Sequence, residues 1–136
     1  MVDLHHLGIA ARNFQFFVEA YEIETEDVVE VVEDYNQHNR LIFVRKPNSQ
    51  FFIEAIVPLN DKSTVHNFCK TVMVGLHHVA FQVPKLDQVI SKYASQQGHI
   101  FLGSYEISVN AFGGDIRTAF FYRRGAIVEY VEVITI

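Results

Sequence analysis

Several things are scarce in this chain, and each scarcity closes a door. Of 136 residues one is cysteine and none is tryptophan. A lone Cys69 cannot build a disulfide framework, so a reducing compartment is the simpler expectation, with a buried structural thiol as the role of Cys69. No apolar stretch approaches the roughly 18 to 20 residues that cross a bilayer. The start carries neither the basic nor the apolar region of a secretory signal. A cytoplasmic protein with no membrane partner is therefore expected. Basic charge is also short: 11 Lys plus Arg stand against 16 Asp plus Glu, a formal net charge of -5. Binding nucleic acid needs a basic stripe, and the adjacent basic pairs are only Arg45-Lys46 and Arg123-Arg124. Low-complexity stretches and long linkers are missing as well. Chains divide when one core stops growing, at roughly 250 residues, so a single domain over 1–136 is expected.

What is present is a hydrophobic content of 49%, 12 Phe and 7 His. The phenylalanines recur at strand and helix spacings and are expected mostly in the core, a minority walling a cavity. The histidines become informative once the chain is searched for repeats. Leu4-His5-His6-Leu7-Gly8-Ile9-Ala10 near the start returns as Leu76-His77-His78-Val79-Ala80-Phe81. Each copy later reaches an apolar strand with one embedded glutamate, Phe51-Phe52-Ile53-Glu54-Ala55-Ile56-Val57 and Ala126-Ile127-Val128-Glu129-Tyr130-Val131. His6 to Glu54 spans 48 positions and His78 to Glu129 spans 51. Two spacings that agree within three residues point to a duplicated unit.

The intervening segments agree. Asn13 is placed to cap a helix with Phe14, Phe17 and Tyr21 on one side. Leu86, Val89, Ile90, Tyr93 and Ala94 follow the i, i+3, i+4, i+7, i+8 pattern, with Gly98 as the expected C-cap. Strands are expected at 28–32, 40–45 and 51–57 in the first copy, and at 100–109, 116–122 and 126–134 in the second. The expected fold class is α+β, two tandem β-α-β-β-β modules forming a cupped mixed sheet. Module one covers about 3–58, a connecting helix about 61–71, and module two about 75–134.

Residues two apart share a strand face. His6 lies with Leu4, Gly8 and Ala10, and His78 with Ala80 and Gln82, so small neighbours leave room beside each imidazole. Glu54 lies with Phe52 and Ile56, and Glu129 with Ile127, Val131 and Val133. A carboxylate in such company must be paired, protonated or bound to a cation, because an unpaired buried charge costs several kcal/mol. The competing reading for Glu54 is an ion pair with Arg40 or Arg45. If the strands bring the four residues together, two imidazoles and two carboxylates suit a divalent metal; ligand softness does not choose among zinc, cobalt, manganese, nickel and iron.

The pattern His, Glu, His, Glu on duplicated β-α-β-β-β units resembles the vicinal oxygen chelate superfamily of glyoxalases, extradiol dioxygenases, and fosfomycin and bleomycin resistance proteins. Within it, Ile53-Glu54-Ala55-Ile56-Val57-Pro58-Leu59-Asn60-Asp61-Lys62-Ser63-Thr64-Val65, leading to Gly75-Leu76-His77-His78-Val79-Ala80-Phe81, is similar to methylmalonyl-CoA epimerases. The resemblance implies that His6, Glu54, His78 and Glu129 bind the metal, and that His5 and His77 do not. It implies an isomerase or lyase acting on a small carbonyl compound or acyl thioester such as an acyl-CoA, by metal-stabilised enolate chemistry. Glu129 or Glu54 would be the catalytic proton carrier, and a homodimer is common in that family. The epimerases also carry an acid on the central strand of the first module, where this chain reads Asn39-Arg40-Leu41-Ile42-Phe43-Val44. The first helix lacks the usual glycine turn and runs into Glu22-Ile23-Glu24-Thr25-Glu26-Asp27.

Two alternatives come from other classes. A non-catalytic binding protein of the bleomycin-resistance type would sequester a drug or metabolite. A ring-cleaving dioxygenase would use two His and one Glu around ferrous iron. Weaker features are Ala111-Phe112-Gly113-Gly114-Asp115, read as a strand connection that could let backbone approach a substrate, and Arg117 and Arg123 as contacts for an anion. His38, His66 and His99 are expected in loops or on helix surfaces.

Overall fold

The computed structural model describes residues 3–134; the outermost two residues at each end of the expected 1–136 domain lie outside them. In chain order the elements are β1 (Asp3–Ala11), α1 (Phe14–Tyr21), β2 (Val28–Asp34), β3 (Asn39–Val44), β4 (Phe52–Pro58), α2 (His66–Thr71), β5 (Val74–Gln82), α3 (Leu86–Ala94), β6 (His99–Val109), β7 (Gly114–Arg123) and β8 (Ala126–Val133). The order is β-α-β-β-β, a short helix, then β-α-β-β-β again, an α+β fold with parallel and antiparallel strand pairs. Among the described residues no helix is long and apolar enough to cross a membrane.

The chain forms two compact units whose boundaries fall inside β1 and β5. One comprises 7–77. Here β2 pairs with β3 and β3 with β4, both antiparallel. Asn13 caps α1 as expected, its side chain accepting from the Phe16 N–H at 2.9 Å. The helix ends on Glu22, left-handed at φ 54°, whose N–H reaches the Val18 carbonyl; a charged residue holds the position a glycine usually takes. The core gathers Phe17 of α1 with Ile42, Val44 and Ala55 of β3 and β4. Burying such a side chain contributes roughly 1.5–3 kcal/mol.

The face of each strand follows from this core. Ile42 and Val44 point at the helix, so Leu41 and Phe43 point away, and Glu54, the direct partner of Phe43, points away with them. On β2 the register steps from Val28↔Val44 to Glu30↔Phe43. Two residues of β2 thus oppose one of β3, a bulge at Val29 that turns Glu30 onto the face of Phe43 and Glu54.

The other unit comprises 1–6 and 78–136. Here β5 runs parallel to β8, and β8 pairs with β7 and β7 with β6, both antiparallel. Leu86 of α3 packs with Ala119, Phe121 and Tyr130, flanked by Val89, Ile90 and Tyr93. Because Tyr130 and Val128 face the helix, Glu129 faces away from it. The Glu132 carboxylate accepts from the Leu86 N–H at 2.6 Å and so caps α3. Gly98 does not cap this helix. The α3 helix ends at Ala94 with Ser95 as its C-cap, and Gly98, at φ 86°, belongs to the turn that enters β6. His99 also departs from expectation: it begins β6 and stacks on Tyr93 at 4.8 Å.

Candidate metal centre

Within the 1–6 and 78–136 unit, three of the expected site residues meet. His6 and His78 are 1% and 2% exposed and Glu129 is 4% exposed. Glu129 Oε1 lies 3.0 Å from His6 Nε2 and 2.9 Å from His78 Nε2, and the two imidazole nitrogens are 3.3 Å apart. Despite those distances, Oε1 makes no hydrogen bond among the described residues. The two imidazole nitrogens are within hydrogen-bond reach of each other, while Oε1 lies against both without one. Metal–nitrogen and metal–oxygen bonds of about 2.0–2.2 Å put neighbouring ligand atoms about 3.0 Å apart in an octahedron and about 3.4 Å apart in a tetrahedron. The triangle has those dimensions, and its donors are the types that divalent first-row metals take.

The surroundings fix these side chains. Thr118 donates its hydroxyl to Glu129 Oε2, leaving Oε1 for the triangle. Phe120, opposite Glu129 on β7, meets the His78 ring edge-on at 5.3 Å. Burial alone would push the Glu129 carboxyl up. The His6 and His78 imidazoles outweigh it and hold the group well below the usual carboxylate range. Phe112, buried on the 3₁₀ turn Asn110–Phe112, stacks on His6 at 5.6 Å. Gly113, at φ 96°, ends that turn and leads into β7, so the Ala111–Asp115 segment is a strand connection that also walls the site.

Glu54 belongs to the 7–77 unit. It is 7% exposed on β4. Arg40, one of the cations considered for it, pairs with Glu33 at 3.0 Å and stands on the opposite face of β3 from Phe43. Arg45 reaches the Ser49 carbonyl at 2.9 Å. Arg117 is held by Asp87 at 3.1 Å and Arg123 by the Tyr130 hydroxyl at 2.9 Å, so both serve within the fold.

The face taken by Glu30 was not legible in the sequence. Strand alternation counted from Val28 puts it on the helix side, and only the bulge at Val29 places it, half-buried, on the face of Glu54. His5 was set aside because the resemblance implies the second histidine of each tandem pair as the ligand, yet its ring contacts both His6 and Phe112. Burial, reinforced by the neighbouring His6, pushes the His5 imidazole down to about 4.

With this geometry established, comparison with known proteins decides the family. The glyoxalase/bleomycin resistance protein/dioxygenase superfamily matches residues 5–120. The chain belongs to that superfamily. No curated protein matches it significantly. Among solved structures it is similar to methylmalonyl-CoA epimerase from Mycobacterium tuberculosis, with 24% identity, 95% of this chain and 86% of that chain covered, and a TM-score of 0.76. It is also similar to Streptomyces coelicolor methylmalonyl-CoA epimerase in complex with 2-nitronate-propionyl-CoA, with 19% identity, 97% of each chain covered and a TM-score of 0.77. A hypothetical protein from Bacillus halodurans aligns with 22% identity, 97% of this chain and 94% of that chain covered, and a TM-score of 0.74. At these identities the likeness is one of superfamily fold.

Proposed function

We propose that this protein is a metal-dependent isomerase or lyase that moves a proton next to the carbonyl of an acyl thioester, with His6, His78, Glu129 and Glu54 as metal ligands. The observation that carries the reading is the triangle of His6 Nε2, His78 Nε2 and Glu129 Oε1, three buried donor atoms with edges of 2.9 to 3.3 Å. Glu54 is included because it matches Glu129 in the repeat and is a buried carboxylate on the helix-free face of its strand. The solved structures bound to methylmalonyl-CoA and to 2-nitronate-propionyl-CoA support the acyl-CoA class of substrate. A divalent ion held by such ligands supplies positive charge that polarises a carbonyl and acidifies the adjacent C–H.

The chain's own groups then divide the work. Glu129 would take or return the proton on the oxygen it frees when displaced from the metal, with Thr118 keeping its second oxygen oriented. Glu30 is proposed as the further carboxylate: β3 carries no acid, and the bulge brings Glu30 to the face of Glu54 from the neighbouring strand β2. Phe112 and Phe120 pack against the imidazoles and give them apolar neighbours.

The test is metal analysis of the purified protein followed by incubation with methylmalonyl-CoA in deuterated water. Stoichiometric divalent metal and deuterium at the carbon next to the thioester are expected. Glu30→Gln should lower that exchange by about 10²-fold or more, the usual contribution of a positioned acid or base, with metal content unchanged. Metallated wild-type protein that exchanges no deuterium into acyl-CoA substrates would overturn the enzymatic reading. Protein that binds no divalent metal would favour the ligand-sequestering alternative.

A further inference from the structure

His5 Nδ1 lies 2.8 Å from His6 Nδ1. Strand geometry does not dictate that contact, since successive side chains of a strand point to opposite faces. Here the 3₁₀ turn before β7 supplies what alternation does not. The Phe112 ring meets His5 edge-on at 4.3 Å and 83°, and lies nearly parallel to His6 at 5.6 Å and 19°. One buried aromatic side chain therefore braces both imidazoles, and the His5 and His6 rings stand edge to face at 5.1 Å.

The chemistry of that contact has a direction. A neutral imidazole carries one N–H and one lone pair. His6 Nε2 is the atom that faces Glu129 Oε1 and His78 Nε2. For Nε2 to serve as a ligand its lone pair must be free, which puts the proton on Nδ1. The Nδ1–H then points to an acceptor 2.8 Å away, and that acceptor is His5 Nδ1. His5 in turn carries its proton on Nε2. The opposite assignment, with His5 donating, would place the His6 proton on Nε2, in the middle of the triangle. A ligating histidine usually donates its second ring N–H to an oriented partner, and losing that partner costs metal affinity.

Resting on the metal-binding reading above, we propose that His5 is a positioning residue that holds His6 in its Nδ1–H tautomer, so that the Nε2 lone pair is presented to a divalent cation. His5 takes no ligand place itself. It sets the proton of the ligand next to it, and Phe112 sets the plane of both rings.

The experiment uses full-length protein with ¹⁵N-labelled histidine, in two parts. In metal-free protein, long-range proton–nitrogen correlation spectra report which ring nitrogen of His6 is protonated; Nδ1–H as the dominant tautomer is expected. In competition with a chelator, Zn²⁺ affinity is then compared for wild type, His5→Phe and His5→Asn. Phenylalanine keeps a ring against Phe112 and removes the acceptor, while asparagine places an oxygen near the position of Nδ1. His5→Phe should weaken Zn²⁺ binding by about 10- to 100-fold and leave His6 in mixed tautomers. His5→Asn should restore both readouts. A wild-type His6 protonated at Nε2, a His5→Phe protein that binds as tightly as wild type, or equal losses in both variants would overturn the proposal. A wild type with the expected tautomer but no Zn²⁺ affinity would sink the metal-binding reading while leaving the His5–His6 tautomer assignment standing.

Discussion

The two repeats carry the same residue types at nearly the same spacing, yet the fold treats them differently. In the second repeat His78 and Glu129 belong to one unit, on the parallel strands β5 and β8, with Thr118 donating to the carboxylate. In the first repeat the pair is divided: His6 belongs to the same unit as His78 and Glu129, and Glu54 to the 7–77 unit. The second repeat, with His6 added, already forms a three-atom donor set. Glu54 brings a buried carboxylate whose role is to be measured against that set.

The largest expected effect tests this asymmetry. His78→Ala should abolish stoichiometric metal binding, whereas Glu54→Gln, which leaves all three atoms of the triangle in place, should retain metal with lower affinity; metal analysis after dialysis reads both. Equal loss in the two variants would remove the distinction between the repeats.

Next come the two cores. Phe121→Ala and Phe17→Ala each delete a fully buried ring and should each cost about 3–5 kcal/mol in denaturant unfolding. If the units unfold separately, each substitution will move only one of two transitions. A single transition shifted by both would show that the units unfold together.

A smaller effect belongs to Thr118→Val, which keeps the shape and removes the hydroxyl that holds Glu129 Oε2. A hydrogen bond to a charged group contributes about 1.5–3 kcal/mol, so a destabilisation of that order is expected in metal-free protein. No change by thermal melting would mean that the bond does not orient the carboxylate.

The smallest effect concerns how each unit secures its helix. Glu132 caps α3, while in the 7–77 unit Asp27 holds the segment entering β2 by accepting from the Glu24 N–H and from Lys46. The Lys46 hydrogen bond, followed by that from the Glu24 backbone, lowers the Asp27 carboxyl from its ordinary 3.8. A carboxylate depressed in the folded state stabilises above its unfolded value and loses that contribution as pH falls through the folded one. The gap in Tm between wild type and Asp27→Asn should therefore be full near neutrality and close as pH drops below about 4. A gap that persists unchanged in acid would show that Asp27 acts through packing rather than charge.

Much of this was written in local patterns. Alternation and helical periodicity located β2, β3, β4, β6, β7 and β8 and the helices α1 and α3, the repeated His-His segments marked β1 and β5, Asn13 marked the start of α1, and the matched His and Glu positions named the residues of the triangle. The misses lie outside what a local pattern carries. Gly98, the parity of Glu30 and the approach of His5 to His6 depend on register, on where a helix frays, or on a ring supplied from Phe112 more than a hundred positions away. Alternation assumes an unbroken strand, and a single bulged residue reverses it. Nothing around Val28-Val29-Glu30-Val31 announces the bulge, since each of these residues is acceptable on either side of an edge strand.

That bulge has a consequence for how relatives are compared. One extra residue in β2 transfers a carboxylate from one side of the sheet to the other while leaving the Phe17 core untouched. An insertion or deletion of that kind moves a carboxylate to the opposite face of its own strand. If Glu30 is the further carboxylate, alignment columns that pair β3 with β3 would record an acid as lost that stands on the neighbouring strand. Comparison of side-chain directions, strand by strand, is the measure of descent in function that this fold requires.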